Sequence, residues 1–230
     1  MSNQELILPP PFSLIALREV GDAFRHAQNI AAESGAGTIV WTRRFDIAEF
    51  AIVLEPDEPL RLSRRAIYIC GNALADALSV HAPPEHPITL DWPDAIRVDD
   101  ALVGGLQMAW PQSSEDDVPD WLVVGIMIRT VVMRAGEAGL QPLLGGLDEQ
   151  GFEELSPATV IDGFSRYLLR AMDDWNTEGF STVRRFWLDR AAKKTIRIAD
   201  DGDLDGQAGS LRDALARPSW HDPETGAPWP

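Results

Sequence analysis

The segment from Trp121 to Met133 constrains the fold more than any other, because it is apolar almost throughout. A strand covered on both faces carries such a run, whereas a strand with one face in water alternates polar and apolar residues. The longest uncharged stretch within it, Trp121 to Ile128, is far shorter than the roughly 18 residues that a membrane-spanning helix needs. The run therefore predicts the central strand of a sheet with layers on both sides.

Shorter patterns predict the elements around this strand. Runs rich in β-branched and aromatic residues predict strands at 38–41, 49–55, 88–91 and 102–110. Apolar residues at helical spacing predict helices at 19–33, at 62–80 and from Pro157 onward, the last with Ser156 as its N-cap. The inner face of this third helix is predicted to carry Val160, Phe164, Leu168, Ala171 and Trp175.

The order of these elements indicates one main domain of the α+β class. Strands outnumber helices and short loops join most neighbours, which predicts a twisted, mixed, mostly antiparallel sheet with flanking helices. Residues 1–11 end in three prolines and form an N-terminal arm, and residues 12–190 form the main domain. Residues 191–230 combine short apolar runs with many Gly and Asp, which indicates a small C-terminal domain or tail.

The charge of the chain excludes several classes of partner. Lys and Arg number 20 against 36 Asp and Glu, so the formal net charge of the 230 residues is -16. A field of that sign repels phosphate backbones and anionic lipids, so neither nucleic acid nor membrane is expected as the partner. The first residues lack a basic start followed by an apolar run, so no secretory signal is predicted. We expect a soluble, acidic, cytoplasmic protein.

Several reactive residue types carry no recognisable metal or nucleophile pattern. The single cysteine, Cys70, lies on the apolar stripe of the second predicted helix, so a buried structural thiol is favoured over a nucleophile. The spacing of the four histidines matches no metal motif, and no metal site is predicted. The acidic stretch 201–206 resembles the start of a calcium loop, but its twelfth position is Arg212 rather than a bidentate Glu, which favours a hairpin turn.

Four segments carry family-like motifs in one order along the chain. They are residues 38–45, Trp92-Pro93-Asp94 through Val103-Gly104-Gly105-Leu106, residues 123–129 and residues 175–187. This order resembles the catalytic domain of the biotin/lipoate protein ligase family over residues 12–190. That family has Trp-Pro-Asn-Asp, then Lys-Ile-Gly-Gly-Ile-Leu, then Val-Ile-Gly-Ile-Gly-Ile-Asn, and finally a helix with a Gly-Phe…Trp ending. The spacing of ten residues from Trp92 to Leu102 also agrees.

The resemblance implies a sheet that holds an acid with a long apolar tail, such as biotin, lipoate or octanoate. In the family, ATP with magnesium activates the acid to an acyl-adenylate, and the acyl group passes to a lysine of a biotinyl or lipoyl carrier domain. The glycine pair lets backbone approach the ligand. The matching positions here predict a ligand site made of Arg43, Arg44, Trp92, Pro93, Asp94, Gly104, Gly105, Gly125 and Arg129.

The chain departs from the family pattern where the chemistry is carried. The essential lysine before the glycine pair falls on Leu102, and Asp91 replaces the lysine before Trp-Pro. Met127 and Arg129 replace the second glycine and the asparagine of the third motif. One lysine about 4 Å from a phosphate contributes roughly 4 kcal/mol at an effective dielectric of 20. The catalytic residues are therefore left unassigned, and whether the chain is an enzyme is left open.

Each site prediction has a structural alternative. The Arg43-Arg44 pair fits either a solvated turn or a phosphate contact, and Trp92-Pro93 either a core position or a pocket wall. The glycine pair fits either a bulge or a pocket wall. Three functions follow from these alternatives: an acyl-binding member that transfers an acyl group if active, a non-catalytic interaction or regulatory protein that docks a carrier domain, and a protein with a new substrate. In the last, Met127 shortens the pocket and Arg129 binds a second carboxylate.

Overall fold

A computed structural model describes residues 6–132, 144–153, 155–206, 209–222 and 224–225. Seven strands form one sheet in the order β1-β2-β3-β7-β6-β5-β4. The strands are β1 (Ser13–Leu17), β2 (Thr38–Thr42), β3 (Ile47–Leu54), β4 (Ile88–Asp91), β5 (Ala95–Val98), β6 (Ala101–Ala109) and β7 (Leu122–Arg129). The helices are α1 (Ala23–Ser34), α2 (Leu60–Ser63), α3 (Ala66–Ser79), α4 (Pro157–Glu178), α5 (Phe180–Arg190) and α6 (Leu211–Leu215).

The sheet is mixed and mostly antiparallel, as predicted. Only the β1–β2 pair is parallel among the named strand pairs of the described residues. Strand β7 occupies the fourth of the seven positions, and nearly all of its residues are buried. The apolar run at 121–128 is therefore a central strand covered on both faces, and the α+β class is confirmed.

The two long apolar helices and α1 lie on opposite faces of the sheet. Ser156 caps α4, accepting a hydrogen bond from the backbone N–H of Thr159, and Pro157 occupies the first turn, as predicted. Val160, Phe164 and Leu168 of α4 are buried, as the helical spacing indicated. The main core unites α3, α4 and one sheet face, whereas α1 covers the other face with Ala23, Ala27 and Ala31.

Two predicted helix boundaries are wrong, and two strands were missed. The helix expected at 62–80 is divided into α2 and α3, which meet at Arg64 and Arg65. The first helix begins at Ala23 rather than at residue 19, because Asp22 caps it by accepting from the backbone N–H of Arg25. Strands β1 and β5, of five and four residues, were not predicted.

The segment after α5 packs back onto the main domain. The Tyr68 hydroxyl on α3 donates to the carbonyl oxygen of Gly202 at 2.5 Å. Helix α6 buries Leu211 and Leu215 in the same core cluster as α3. Trp220 is 2% exposed and lies on the opposite sheet face, so this segment contributes to both layers. No described helix combines the length and apolar character needed to cross a membrane.

Candidate functional site

A cavity of about 590 Å³ lies between the start of α1 and the sheet. Its walls combine polar groups with aromatic and sulfur-containing side chains. The described lining residues are Asp22, Phe24, Arg25, Gln28, Glu49, Phe50, Gln107, Ile126, Met127 and His221. This volume falls within the roughly 300–1,000 Å³ typical of small-molecule sites.

The strand register places the cavity beside the predicted glycines. Met127 pairs with Glu49 on one side and with Gly105 on the other. Two residues before Met127 on β7, Gly125 pairs with Ala51 on one side and with Gln107 on the other. Directly paired residues point to the same face of a sheet, so the cavity occupies the face that carries both glycines.

Glu49 is a carboxylate inside an otherwise apolar stretch of β3. Its Oε1 accepts from the Ala23 backbone N–H at 3.1 Å and from the Thr42 hydroxyl at 3.3 Å. Burial raises the pKa of Glu49, and the Ala23 hydrogen bond opposes this rise. The side chain thus ties the first residue of α1 to the sheet and gives the cavity a hydrogen-bonding group.

Leu102, where the resemblance places the family's lysine, lies in an apolar cluster. Leu102 is 5% exposed and is buried together with Ala95 and Trp220. Met127 and Leu144 pack against this cluster. A phosphate placed here meets hydrocarbon instead of an ammonium group, so the cluster cannot neutralise its charge.

Residues 219–221, here called the strap, cover this cluster. The backbone N–H of Ser219 donates to Asp94 at 3.2 Å, and its hydroxyl donates to Asp94 Oδ1 at 2.6 Å. The indole Nε1 of Trp220 donates to the Leu106 carbonyl oxygen at 2.6 Å. Burial raises the pKa of Asp94 to about 7, although both Ser219 hydrogen bonds favour its ionised form.

Each predicted glycine has a close neighbour that explains the lack of a side chain. Gly104 has φ +155, and a Cβ there would lie 1.9 Å from the Met127 carbonyl oxygen. A Cβ on Gly105 would lie 2.3 Å from the Trp220 ring, and one on Gly125 would lie 2.5 Å from the Phe24 ring. Protein atoms therefore occupy the space in front of all three glycines.

The three predicted arginines point to different partners. Arg43 is exposed, whereas Arg44 donates to both carboxylate oxygens of Asp46 at 3.1 and 2.7 Å. The Asp46 hydrogen bonds raise the pKa of Arg44. Arg129 is 9% exposed and donates to the carbonyl oxygens of Gly145 and Leu102 at 3.0 and 2.6 Å. Its guanidinium stabilises backbone beside the apolar cluster.

The Trp92-Pro93-Asp94 turn joins β4 to β5 away from the cavity lining. The Trp92 indole donates to the Tyr68 hydroxyl at 2.7 Å, and the Trp92 ring packs against the core on the α3 side. Asp94 holds the strap, and Pro93 is buried between Trp92 and Asp94. The structure thus brings Asp94, Gly104, Gly105 and Arg129 around the apolar cluster and leaves Trp92 on the other side.

The residues around the cavity do not fit a triphosphate with magnesium. Asp22 and Glu49 give the cavity negative charge, and of the described lining residues Arg25 carries the permanent positive charge. Its side chain is 80% exposed and lies 3.6 Å from Asp22. Among the described residues, no cluster of three or more His, Cys, Asp or Glu side chains is arranged to hold a metal ion.

Sequence reasoning missed the residues that line the cavity. Glu49 and Gln107 carried a usable signal, because each is a polar residue directed inward within an apolar strand. Asp22 was detectable as a helix cap. His221 carried no signal, since its place in the cavity depends on a contact between distant parts of the chain. Cys70 is buried and its pKa is raised to about 12, as expected of an inert structural thiol.

Comparisons with known proteins agree with this architecture. Residues 8–189 match the model of the biotin/lipoate A/B protein ligase family. No curated protein matches the chain at a significant level. Among solved structures, a biotin protein ligase-like protein of unknown function from Silicibacter sp. is 25% identical, with a TM-score of 0.81 and coverage of 92% of this chain and 99% of that one.

Two biotin protein ligases with bound ligands share the fold at lower identity. The Aquifex aeolicus enzyme in complex with biotin and ATP is 17% identical, with a TM-score of 0.60 and coverage of 78% of each chain. The Leishmania major enzyme in complex with biotinyl-5-AMP is 16% identical, with a TM-score of 0.59 and coverage of 83% of this chain and 85% of that one. Because the family match spans most of the sequence and the sheet and helices agree with it, the chain belongs to the biotin/lipoate A/B protein ligase family.

Proposed function

We propose that this protein binds a small acid with an apolar tail, of the biotin, lipoate or octanoate type, in the cavity beneath α1. The observation that carries the proposal is the position of the cavity on the sheet face that bears Gly105 and Gly125. The cavity has the volume of a small-molecule site and a mixed lining suited to such an acid. The ligands of the biotin protein ligases with this fold supply the chemical class.

The distribution of polarity along the cavity supports one orientation of the acid. Arg25, Gln28 and Asp22 lie at the α1 end, where Arg25 and the Gln28 amide can donate to a carboxylate. Met127 packs against the apolar cluster around Leu102 and Trp220. In our proposal the carboxylate lies near α1 and the tail extends toward Met127.

We propose binding of the acid or a preformed adenylate rather than formation of an adenylate by the family's lysine. Leu102 supplies no charge, and Arg129 is engaged by the two backbone carbonyls. Loss of one donor at a site of developing charge typically costs about 10²–10³ in rate. Transfer of a bound acyl group to a carrier lysine requires an acyl group activated elsewhere.

The Leu102 cluster also favours a second candidate function. A chain that keeps the ligase scaffold and replaces its essential cation is suited to dock a biotinyl or lipoyl carrier domain, or to regulate an active ligase, without chemistry of its own. Binding of a carrier domain in the absence of any small acid distinguishes this candidate from the first.

Calorimetry and thermal melting with biotin, lipoate, octanoate and a hydrolysis-resistant acyl-adenylate test the proposal. A ligand at 100 times its Kd adds about 2.7 kcal/mol of stability, or about 5–10 °C in Tm for a chain of this size. Gln28→Leu removes one of the two proposed carboxylate donors and should reduce this shift clearly. Gln112→Leu, at an exposed position, is the matched control and should keep it.

The outcomes separate the two candidates. A shift with at least one acid or adenylate that is reduced in Gln28→Leu and kept in Gln112→Leu supports acid binding. A flat response to every compound contradicts it and directs attention to carrier domains. ATP-dependent pyrophosphate exchange by the unmodified chain contradicts the assignment of binding without adenylation.

A further inference from the structure

We propose that Trp220 is an internal plug that limits the length of the acyl chain the cavity accepts. This inference rests on the proposed function and names the residue that determines its specificity. The strap that carries the plug lies outside residues 8–189, the segment that matches the family. The plug therefore lies outside the matched family segment.

The Trp220 ring is close to Gly105 and to His221, which lines the cavity. Trp220 lies directly over Gly105. A Cβ placed on Gly105 would lie 2.3 Å from the Trp220 Cδ1. Gly105 pairs with Met127, which lines the cavity. His221, the next residue of the strap, also lines the cavity and contacts the Trp220 ring with a centroid separation of 4.3 Å. The ring therefore lies immediately beyond the Met127 end of the cavity.

The surroundings of the ring show what it excludes. Leu102, Ala95 and Leu144 belong to the apolar cluster that the ring covers. If the ring is removed, the space over Gly105 connects Met127 with these side chains. That surface is hydrocarbon, so it suits the methylene tail of an acid and not a charged or hydrated group.

The attachment of the strap shows that the plug has a defined position. The indole donates to the Leu106 carbonyl, on the residue that follows Gly105. Ser219 binds Asp94 through both its backbone N–H and its hydroxyl. Two adjacent residues are thus fixed to β6 and to the β4–β5 turn, so the ring stands at one depth rather than sliding along the sheet.

A series of straight-chain acids from butanoate to dodecanoate tests the plug by calorimetry. Each buried methylene raises affinity by about fourfold until the tail reaches the end of the cavity, after which affinity stops rising. Trp220→Ala should move this limit to longer acids by several carbons. Trp220→Leu keeps an apolar cover with a shorter side chain, and it serves if the alanine variant fails to fold. Trp110→Ala, in the other core cluster, is the matched control and should leave the limit unchanged.

Chemical labelling gives a second readout that needs no acid. The thiol of Leu102→Cys should react slowly with N-ethylmaleimide, and adding Trp220→Ala should accelerate it by about tenfold or more, because labelling of the covered thiol requires local opening. Buried Cys70 of the unmodified chain gives the background rate. A Leu102→Cys thiol that reacts at the same fast rate with and without Trp220 overturns the plug.

The two readouts separate the plug from the proposed function. If affinity stops rising at a longer acid in the Trp220 variants, the plug is supported. If it stops rising at the same acid length in every chain, the plug is overturned and acid binding remains intact. If no chain binds any acid, the proposed function and the specificity role fail together. In that case the labelling rate still establishes whether Trp220 covers the cluster.

Discussion

The two faces of the sheet are covered in different ways. The α3–α4 face carries a continuous core that reaches from Phe50 on β3 to Trp187 on α5. The α1 face carries a small alanine-rich cluster, a separate cluster around Leu102, and a cavity between them. The first face accounts for most of the buried apolar area, so it contributes most of the folding free energy.

This difference separates residues that hold the fold from residues that set the function. Substitutions at Leu102, Met127 and the strap alter the α1 face, whereas the core on the α3–α4 face keeps the sheet folded. The α3–α4 face can thus keep the family's fold with Leu at position 102. The four predictions below test this division, beginning with the largest expected change.

Removing an aromatic ring from the α3–α4 face should have the largest effect. Phe164 is fully buried and contacts the Phe50 ring edge-on, with centroids 5.1 Å apart. Phe164→Ala should reduce the free energy of unfolding by about 4 kcal/mol, through lost transfer energy and a residual cavity. Urea denaturation measures this change, and Phe45→Ala, at a 56% exposed residue, is the control. A loss below about 1 kcal/mol contradicts the assignment of this face as the main core.

Trp220→Ala should cost less than Phe164→Ala, although tryptophan is the larger residue. We expect a loss of about 2–3 kcal/mol, since the strap can undock locally while the sheet remains folded. Hydrogen exchange should show faster exchange in the strap and unchanged protection in α4. Equal loss of protection in both regions contradicts the division between the two faces.

The carboxyl group of Asp94 should make stability depend on pH in one direction. Its pKa is raised to about 7 in the folded protein, so between pH 4 and 7 the folded state holds a proton that the unfolded state has released. Stability therefore falls as pH rises through this window and is level above it. We expect a fall of about 2 kcal/mol, less than the full shift implies, because undocking of the strap hydrates the carboxylate.

Asp94→Asn provides the comparison for this titration. The amide does not ionise, so the difference in unfolding free energy between the two chains should grow from pH 4 to pH 7, with the variant more stable at pH 8. Contributions from Glu49 and Asp46 are common to both chains and cancel in the difference. A difference that is constant with pH contradicts a buried, protonated Asp94.

The Arg43–Arg44 loop at the edge of the α1 face should show the smallest change. The Arg44–Asp46 pair is partly solvated, with side chains 34% and 15% exposed, so Arg44→Ala should cost about 0.5 kcal/mol. Arg43→Ala, at an exposed residue, is the control and should not change stability. If Arg44→Ala instead abolishes acid binding, the Arg43–Arg44 loop is part of the ligand site.

How much could be predicted from the sequence depended on whether the signal was local. The apolar run at 121–128 and the capped start of α4 lie within single elements, so the central strand and the helix were predicted correctly. The resemblance pointed to Gly105, and the candidate cavity lies on the sheet face that carries this glycine. The contact between Trp220 and Leu106 joins residues 114 positions apart, and no local pattern encodes such a pairing. The apolar surroundings of Leu102 were hidden for the same reason.

The backbone at Gly104 has a consequence for finding active ligases in sequence collections. A side chain at this position collides with the Met127 carbonyl whatever the neighbouring residues do, and one at Gly105 collides with the backbone oxygen of Asp94. The pair is therefore required for the strands to approach one another, whichever residue occupies position 102. A search that scores Gly-Gly therefore selects chains with this architecture and says nothing of the residue at position 102.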